Sequence, residues 1–142
     1  MTKLEEKLAI RLSLYATSFM SNSKWLKSFK ALCESHDTVR KCLMKDVYDT
    51  ILREVHIPAV EGFSSTFHDS GFTDGRNQPY KFKEIELLKF PSEWIIPREM
   101  RGQVLEPVRF SQNIGKIRDR LREIGKLETE FNNQELIIYG YK

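Results

Sequence analysis

SQNIGKIRDRLREIGKLETEFNNQELIIYGY, residues 111–141, holds a helix pattern followed by a hairpin pattern. Ser111 is a suitable N-cap, and Gly125 is placed to end the helix. Between them, apolar residues recur at the spacing of one helix face, at Ile114, Ile117, Leu121 and Ile124. We therefore expect a helix over 111–125 with one buried face.

The end of the same stretch alternates apolar and polar residues, which is typical of a strand with one buried face. Residues 127–131 read Leu-Glu-Thr-Glu-Phe, and residues 136–141 return as a second apolar segment. Asn132 and Asn133, between the two, tolerate the positive φ of a tight turn. The pattern predicts a C-terminal hairpin directly after the helix.

The N-terminal part predicts two further helices. Thr2 and Glu5 form a capping box, followed by apolar residues at helical spacing at Leu4, Leu8, Leu12, Tyr15 and Phe19. This stripe predicts a helix through about Phe19. Ser23 is placed to cap a second helix ending near Ser35, with one apolar face made of Trp25, Phe29, Leu32 and Cys33.

The middle of the chain predicts mainly strands. The clearest is 80–90, where a switch of apolar phase indicates a β-bulge near Lys83 and Glu84. Weaker segments are 39–47, 48–55 (strand or short helix), 93–96 and a short strand around Val104 in the polar stretch 98–109.

Residues 61–79 are rich in Gly, Ser, Asp, Asn and Phe, and they predict a long loop or a loose hairpin. The element order is then helix, helix, several strands, helix, hairpin. This order predicts a single α+β domain over residues 1–142, with a mostly antiparallel sheet, two N-terminal helices and one helix before the C-terminal hairpin.

Charge and hydropathy exclude some classes of protein. The chain has 23 basic and 20 acidic residues, a net charge of +3, which falls short of the strong bias of many nucleic-acid binders. No apolar run approaches the roughly 18 residues of a membrane helix. The start of the chain carries acids where a secretory signal is basic. We therefore expect a cytoplasmic protein without a membrane segment or a cofactor.

Three groups of residues offer chemistry, and each has a simpler explanation. Three zinc ligands could come from Cys33, His36 and Cys42, yet Cys33 falls on an apolar helix face and a fourth ligand at finger-like spacing is missing. A small hydrolase in the 61–79 loop could use His68 with Ser64, Ser65 and Asp69, all of which are common turn residues. We expect no metal site and no enzyme.

Glu84 and Glu86, the third group, lie two residues apart and could hold a cation or share a proton. More commonly such a pair lies on a solvated strand face, here beside Lys81 and Lys83. We keep both glutamates as candidates for binding rather than for catalysis.

Charge is segregated in the C-terminal third. Residues 98–126 contain eight basic and four acidic residues, while 127–142 contain one basic and three acidic residues. Arg118 and Arg122 flank the apolar stripe of the helix 111–125, so they could contact phosphates or an acidic protein, or simply cover the helix edge. Nucleic acid is the alternative partner.

If the partner is a protein, the candidate contacts are aromatic anchors and an acidic patch. Trp94, Tyr139 and Tyr141 are the candidate anchors, because Trp, Tyr and Arg dominate binding energy at interfaces. The patch would consist of Glu84, Glu86, Glu128 and Glu130.

Four segments together resemble an uncharacterised family of small bacterial cytoplasmic proteins. They are NSKWLKSF at 22–29, KEIE at 83–86, the stretch 102–107 and IYGY at 138–141. Proteins of this kind are similar in size and style to immunity proteins, which neutralise bacterial toxin domains. The resemblance implies a bacterial, cytoplasmic protein. Small size, a single domain, segregated charge and the lack of a catalytic constellation lead to the hypothesis of a protein-binding module, specifically an immunity protein that neutralises a toxin domain by direct binding.

Overall fold

The computed structural model describes residues 2–142 and shows the α+β fold that the sequence predicts. The helices are α1 (Lys3–Leu12), α2 (Asn22–Glu34), α3 (Phe63–Thr66) and α4 (Ile114–Arg122), with 3₁₀ turns at Val60–Gly62 and Phe82–Glu84. The strands are β1 (Leu43–Asp46), β2 (Leu52–Glu54), β3 (Phe67–His68), β4 (Gly71–Phe72), β5 (Tyr80–Lys81), β6 (Ile85–Pro91), β7 (Glu93–Met100), β8 (Gln103–Ser111), β9 (Thr129–Phe131) and β10 (Glu135–Tyr139).

The main sheet has the strand order β2-β1-β6-β10-β9, and each neighbouring pair is antiparallel. Residues that lie directly opposite one another share a face of the sheet. Met44, Leu88 and Ile138 form such a row across the three central strands, and all three are buried. The face that carries this row is the core face.

Helices α2 and α4 supply the other side of the core. Trp25, Phe29 and Leu32 of α2 are buried, as their spacing predicts. Ile117 and Leu121 of α4 are buried as well. The apolar periodicity therefore identified the inward face of both helices correctly.

A small sheet, β3-β4-β5, joins the same core through aromatic rings. The ring centroid of Phe29 lies 4.6 Å from that of Phe67, 5.7 Å from Phe72 and 5.8 Å from Phe82. Of the two alternatives predicted for 61–79, the hairpin is present in the first half as β3 and β4, and the long loop is wrong for that half. That half forms a 3₁₀ turn, α3 and the β3–β4 hairpin, because its phenylalanines are drawn into the core.

Helix α1 begins with the predicted capping box but ends at Leu12, so the prediction of a helix through Phe19 is wrong. The backbone N–H groups of Ala16 and Thr17 both donate to the carbonyl oxygen of Lys142, at 2.8 and 3.0 Å. Pairing with the far end of the chain replaces the helical hydrogen bonds that this segment would otherwise make.

Two N-caps lie beside the residues proposed from the sequence. Ser21 caps α2 rather than Ser23, and Asn113 caps α4 rather than Ser111. In both helices the side-chain oxygen accepts from the backbone N–H three residues later, at 3.1 Å. Serine and asparagine are equally good caps, so local sequence does not choose between neighbouring candidates.

The strand expected over 80–90 is interrupted. The phase switch reflects the 3₁₀ turn between β5 and β6 rather than a β-bulge. The segment 48–55 contains strand β2 and no helix, and the segment 39–47 contains only β1. Among the residues described, no helix is both long and apolar enough to cross a lipid bilayer.

Candidate functional site

A long hairpin, which we call the β7–β8 arm (residues 93–111), leaves the main sheet after β6. Its two strands pair with each other and join neither of the other sheets. Arg101 and Gly102 form the turn at its tip, with φ values of 52° and 77°. Two consecutive positive φ values are what a two-residue type I′ turn requires. The strands predicted at 93–96 and around Val104 are both present, but each is longer than predicted, and the two pair with each other.

The arm carries large apolar side chains that contact little of the protein. Val104 is 89 % exposed and Met100 is 60 % exposed, and both lie next to the tip. Ile95 and Ile96, nearer the base, are 50 % and 47 % exposed. These side chains lie on both faces of the arm, since Val104 is opposite Glu99 and Met100 is opposite Gln103. Their exposure makes the arm a candidate contact surface.

Gln112 fixes the base of the arm to the main body. Its Oε1 accepts hydrogen bonds from the backbone N–H groups of Arg40 (2.9 Å) and Lys41 (3.0 Å). Its Nε2 donates to the carbonyl oxygens of Lys41 (2.9 Å) and Pro91 (2.7 Å). The side chain is buried and all its hydrogen-bonding positions are used, so the base is held in one geometry.

Trp94, one of the candidate anchors, belongs to this base. Its ring stacks on Phe110 at 5.9 Å between centroids. Lys41 Nζ lies 5.4 Å from the Trp94 ring centroid, and the Arg40 guanidinium lies 5.6 Å from that of Phe110. These cation–π contacts bind the arm to the body at the point where the chain leaves the sheet.

Pro97 and Pro107 lie on opposite strands of the arm, beside the shift of register between Ile96 and Arg98. A proline lacks the N–H that a further strand would need, so it is found on sheet edges and at bulges. Both outer edges of the arm are therefore poor templates for strand addition. Recognition through the arm would use its side chains.

The acidic candidates Glu84 and Glu86 do not form a paired site. Glu84 lies in a 3₁₀ turn, and its Oε1 accepts from the backbone N–H of Lys81 at 2.7 Å. Glu86 lies in β6, where it forms an ion pair with Lys45 at 2.9 Å and accepts a hydrogen bond from the Tyr15 hydroxyl. Both carboxylates already have partners within the fold.

The candidates near the C-terminus form one cluster around Lys142. Its Nζ lies 3.3 Å from Glu128, 4.0 Å from Glu130 and 4.4 Å from the Tyr139 ring centroid. Burial, together with the Glu130 carboxylate, raises the pKa of Tyr139 to about 12. The structure thus brings Glu128, Glu130 and Tyr139 together, and a cation of the chain itself occupies the centre.

Tyr141, Arg118 and Arg122 lie elsewhere. The Tyr141 hydroxyl donates to the carbonyl oxygen of Lys83 at 2.9 Å, and its ring packs 5.4 Å from that of Tyr15. Arg118 and Arg122 line a cavity at the end of α4. The nine candidate residues are therefore distributed over separate regions rather than one site.

The next residues are those of the possible zinc site and the possible hydrolase site. Cys33 and Cys42 are buried thiols, and burial raises the pKa of Cys33 to about 11. Within residues 2–142, no three His, Cys, Asp or Glu side chains are grouped closely enough to hold a metal ion. The Ser65 hydroxyl donates to the carbonyl oxygen of Gly62 at 3.0 Å, as in a turn.

The exposed apolar residues of the arm were missed by the sequence interpretation, which selected aromatic and charged residues. One signal could have found them. Arg101 and Gly102 separate two β-prone segments, and a glycine between such segments is a hairpin signal. The prolines within both segments weakened this hairpin signal, because a proline argues against a strand.

Comparisons with known proteins found no matching family model, no significantly similar curated protein and no significantly similar solved structure.

Proposed function

We propose that this chain is a protein-binding module that contacts its partner through the β7–β8 arm. The observation that carries the proposal is the set of exposed apolar side chains on the arm: Ile95, Ile96, Met100 and Val104. A fixed base lowers the entropy lost on binding, because the orientation in which the arm leaves the body is set before the partner arrives.

The charge of the arm favours protein over nucleic acid as the partner. The arm contains three arginines and three glutamates, namely Arg98, Arg101, Arg109, Glu93, Glu99 and Glu106. Binding to a phosphate backbone depends on an excess of cations, and the arm has none. Exposed apolar side chains mixed with balanced charges resemble the composition of a protein–protein interface.

The specific form of the proposal is an immunity protein that neutralises a bacterial toxin domain in the cytoplasm. Its support is the resemblance of the sequence to small bacterial cytoplasmic proteins, together with the arm as a means of direct binding. The toxin would supply an apolar cleft that receives Met100 and Val104 from the tip.

The test is a titration of the chain with the product of the adjacent gene, near physiological salt. Replacing Met100 and Val104 together by aspartate should weaken binding about thirtyfold or more, because two buried apolar contacts would be replaced by charges. The matched control replaces Ile10 and Leu14 by aspartate; both are similarly exposed, at 66 % and 69 %, but lie outside the arm. The control should bind like the original chain.

Duplex DNA and tRNA are titrated in the same way, as the nucleic-acid alternatives to the protein partner. If either bound with sub-micromolar affinity while the neighbouring product did not, the protein-binding proposal would be wrong. The nucleic-acid alternative, through the basic helix 111–125, would then replace it. Its signature would be a steep loss of affinity with salt.

A further inference from the structure

A cavity of about 230 Å³ lies between the C-terminal end of α4, the loop after it, and the C-terminal hairpin of β9 and β10. Leu121, Leu127 and Ile138 contribute apolar surface to its wall. Arg118, Arg122 and Lys126 contribute three cationic side chains. The cavity thus combines an apolar wall with positive charge, and none of its lining residues belongs to the β7–β8 arm.

The cations that line the cavity are poorly neutralised. Among residues 2–142, no carboxylate lies within 4.0 Å of the Arg122 or Lys126 side-chain nitrogens. The buried Nε of Arg118 has no hydrogen-bond partner within the same residues. An unpaired buried donor costs free energy unless a ligand or solvent satisfies it.

Arg120, on the same helix but outside the cavity, shows the contrast. Its two terminal nitrogens contact Glu34 at 3.1 Å and Glu123 at 2.7 Å. Arg120 is therefore neutralised by two carboxylates, whereas Arg122 and Lys126 at the cavity have no ion pair with any residue of 2–142. The nearby acids Glu128 and Glu130 are also engaged, by Lys142.

Arg118 is held in position by an aromatic ring. Its guanidinium carbon lies 4.0 Å from the Phe131 ring centroid, and one terminal nitrogen lies 3.4 Å from Asp119. A cation fixed in this way loses little further entropy when it binds an anion. The C-terminal end of a helix carries about half a negative charge, which three cations exceed.

We propose that this cavity binds a small organic anion, in which a carboxylate or phosphate monoester is attached to a compact apolar body. The anionic group would meet Arg118, Arg122 and Lys126, and the apolar body would pack against the partly exposed Leu127. An inorganic ion would leave the apolar wall unfilled, and a neutral apolar molecule would leave the cations unpaired.

The experiment is an NMR titration of the isotopically labelled full chain, following the backbone amides of Gly125 and Thr129 at the cavity. The probes are phenyl phosphate and hexanoate, which distinguish the two anionic groups, and inorganic phosphate and hexanol, which each supply one half of the ligand. At least one of the first two should give saturable shifts, with affinity about tenfold or more above that of inorganic phosphate or hexanol.

Two variants test the role of the charges. Replacing Arg122 and Lys126 together by glutamine should weaken binding of the organic anion about tenfold or more. Replacing Lys116, an exposed lysine of α4 that does not line the cavity, by glutamine should leave the affinity unchanged. Dispersed spectra of each variant would show that it is folded.

Three results would overturn the proposal: no saturation by phenyl phosphate or hexanoate below roughly 10 mM, equal affinity for inorganic phosphate, or equal weakening by the Lys116 variant. Because the cavity and the arm share no residues, loss of anion binding would leave the test of the protein partner unaffected.

Discussion

Asp46, the last residue of β1, is a buried carboxylate whose oxygens accept hydrogen bonds from four donors. Oδ1 accepts from the backbone N–H groups of Tyr48 (2.8 Å) and Asp49 (3.2 Å). Oδ2 accepts from the Arg53 guanidinium and the Tyr80 hydroxyl, both at 2.9 Å. A buried charge is tolerated when it is paired and hydrogen-bonded in this way. One side chain thereby connects β1 to β2 and β5.

Asp74 organises the irregular segment 73–79 in a similar way. Its carboxylate accepts from the backbone N–H groups of His56, Arg76 and Asn77 and from the side-chain amide of Asn77. Burial acts to raise the pKa of Asp74, but these hydrogen bonds to the charged form outweigh it, and the net effect lowers the pKa.

The lowered pKa predicts a pH dependence of stability. Because the folded-state pKa of Asp74 lies below its unfolded value of about 3.9, the contribution is present above that value and is lost as pH falls through the folded pKa. Urea unfolding of Asp74→Asn should therefore show a lower stability at neutral pH and a smaller loss on acidification from about pH 5 to pH 2. Parallel acid profiles for the two chains would contradict the assignment.

Helix α4 is the element whose two faces differ most clearly in chemistry. Ile117 and Leu121 are buried on the face toward the sheet, while Asp119 is exposed. The local spacing of apolar residues determines which face of the helix is buried, and packing against α2 and β10 provides the burial.

Substitutions on the two faces of α4 should have very different costs. Leu121→Ala should lower the free energy of unfolding by about 2–5 kcal/mol, because it removes buried contacts and leaves a cavity. Asp119→Ala should change it by no more than about 0.5 kcal/mol. Denaturant titration of both variants measures the difference, and similar costs would show that the helix is oriented differently.

In the whole molecule, the β7–β8 arm projects from a body in which the main sheet, the small sheet, α2 and α4 share one core. The C-terminal segment closes this body, since Lys142 hydrogen-bonds with Ala16 and Thr17. The arm and the α4 cavity are separate surfaces, so the molecule has room for two independent ligands.

This arrangement predicts where trypsin cuts the folded chain first. Arg101 lies at the exposed tip of the arm, while Arg76 is held by the Asp74 turn and contacts Glu54 at 3.4 Å. Exposed loop tips are the preferred sites of limited proteolysis. Mass spectrometry should therefore identify the first cut after Arg101, and Arg101→Gln should delay it. A first cut within 61–79 would show that this segment is less ordered than the arm.

A candidate residue could be predicted from the sequence where its residue type was sufficient, but not where its exposure or its partners in the fold decided its role. Trp94 was selected from its residue type, and it lies on the arm. Val104 was assigned to a strand but not to a contact surface, because exposure depends on where the strand projects. The charges of Glu86 and Glu128 were visible in the sequence, whereas their partners Lys45 and Lys142 are distant along the chain and are brought near only by the fold.

The sequence by itself determined the elements whose defining interactions are local: the buried faces of α2 and α4, and the hairpin of β9 and β10. Only the tertiary structure decided the end of α1, the exposure of the arm's apolar side chains, and the packing of Phe67 and Phe72. In these segments the competing interactions join residues far apart along the chain. The structure of these segments depends on which backbone and aromatic groups come into contact in the folded chain. Short-range periodicity does not predict those contacts.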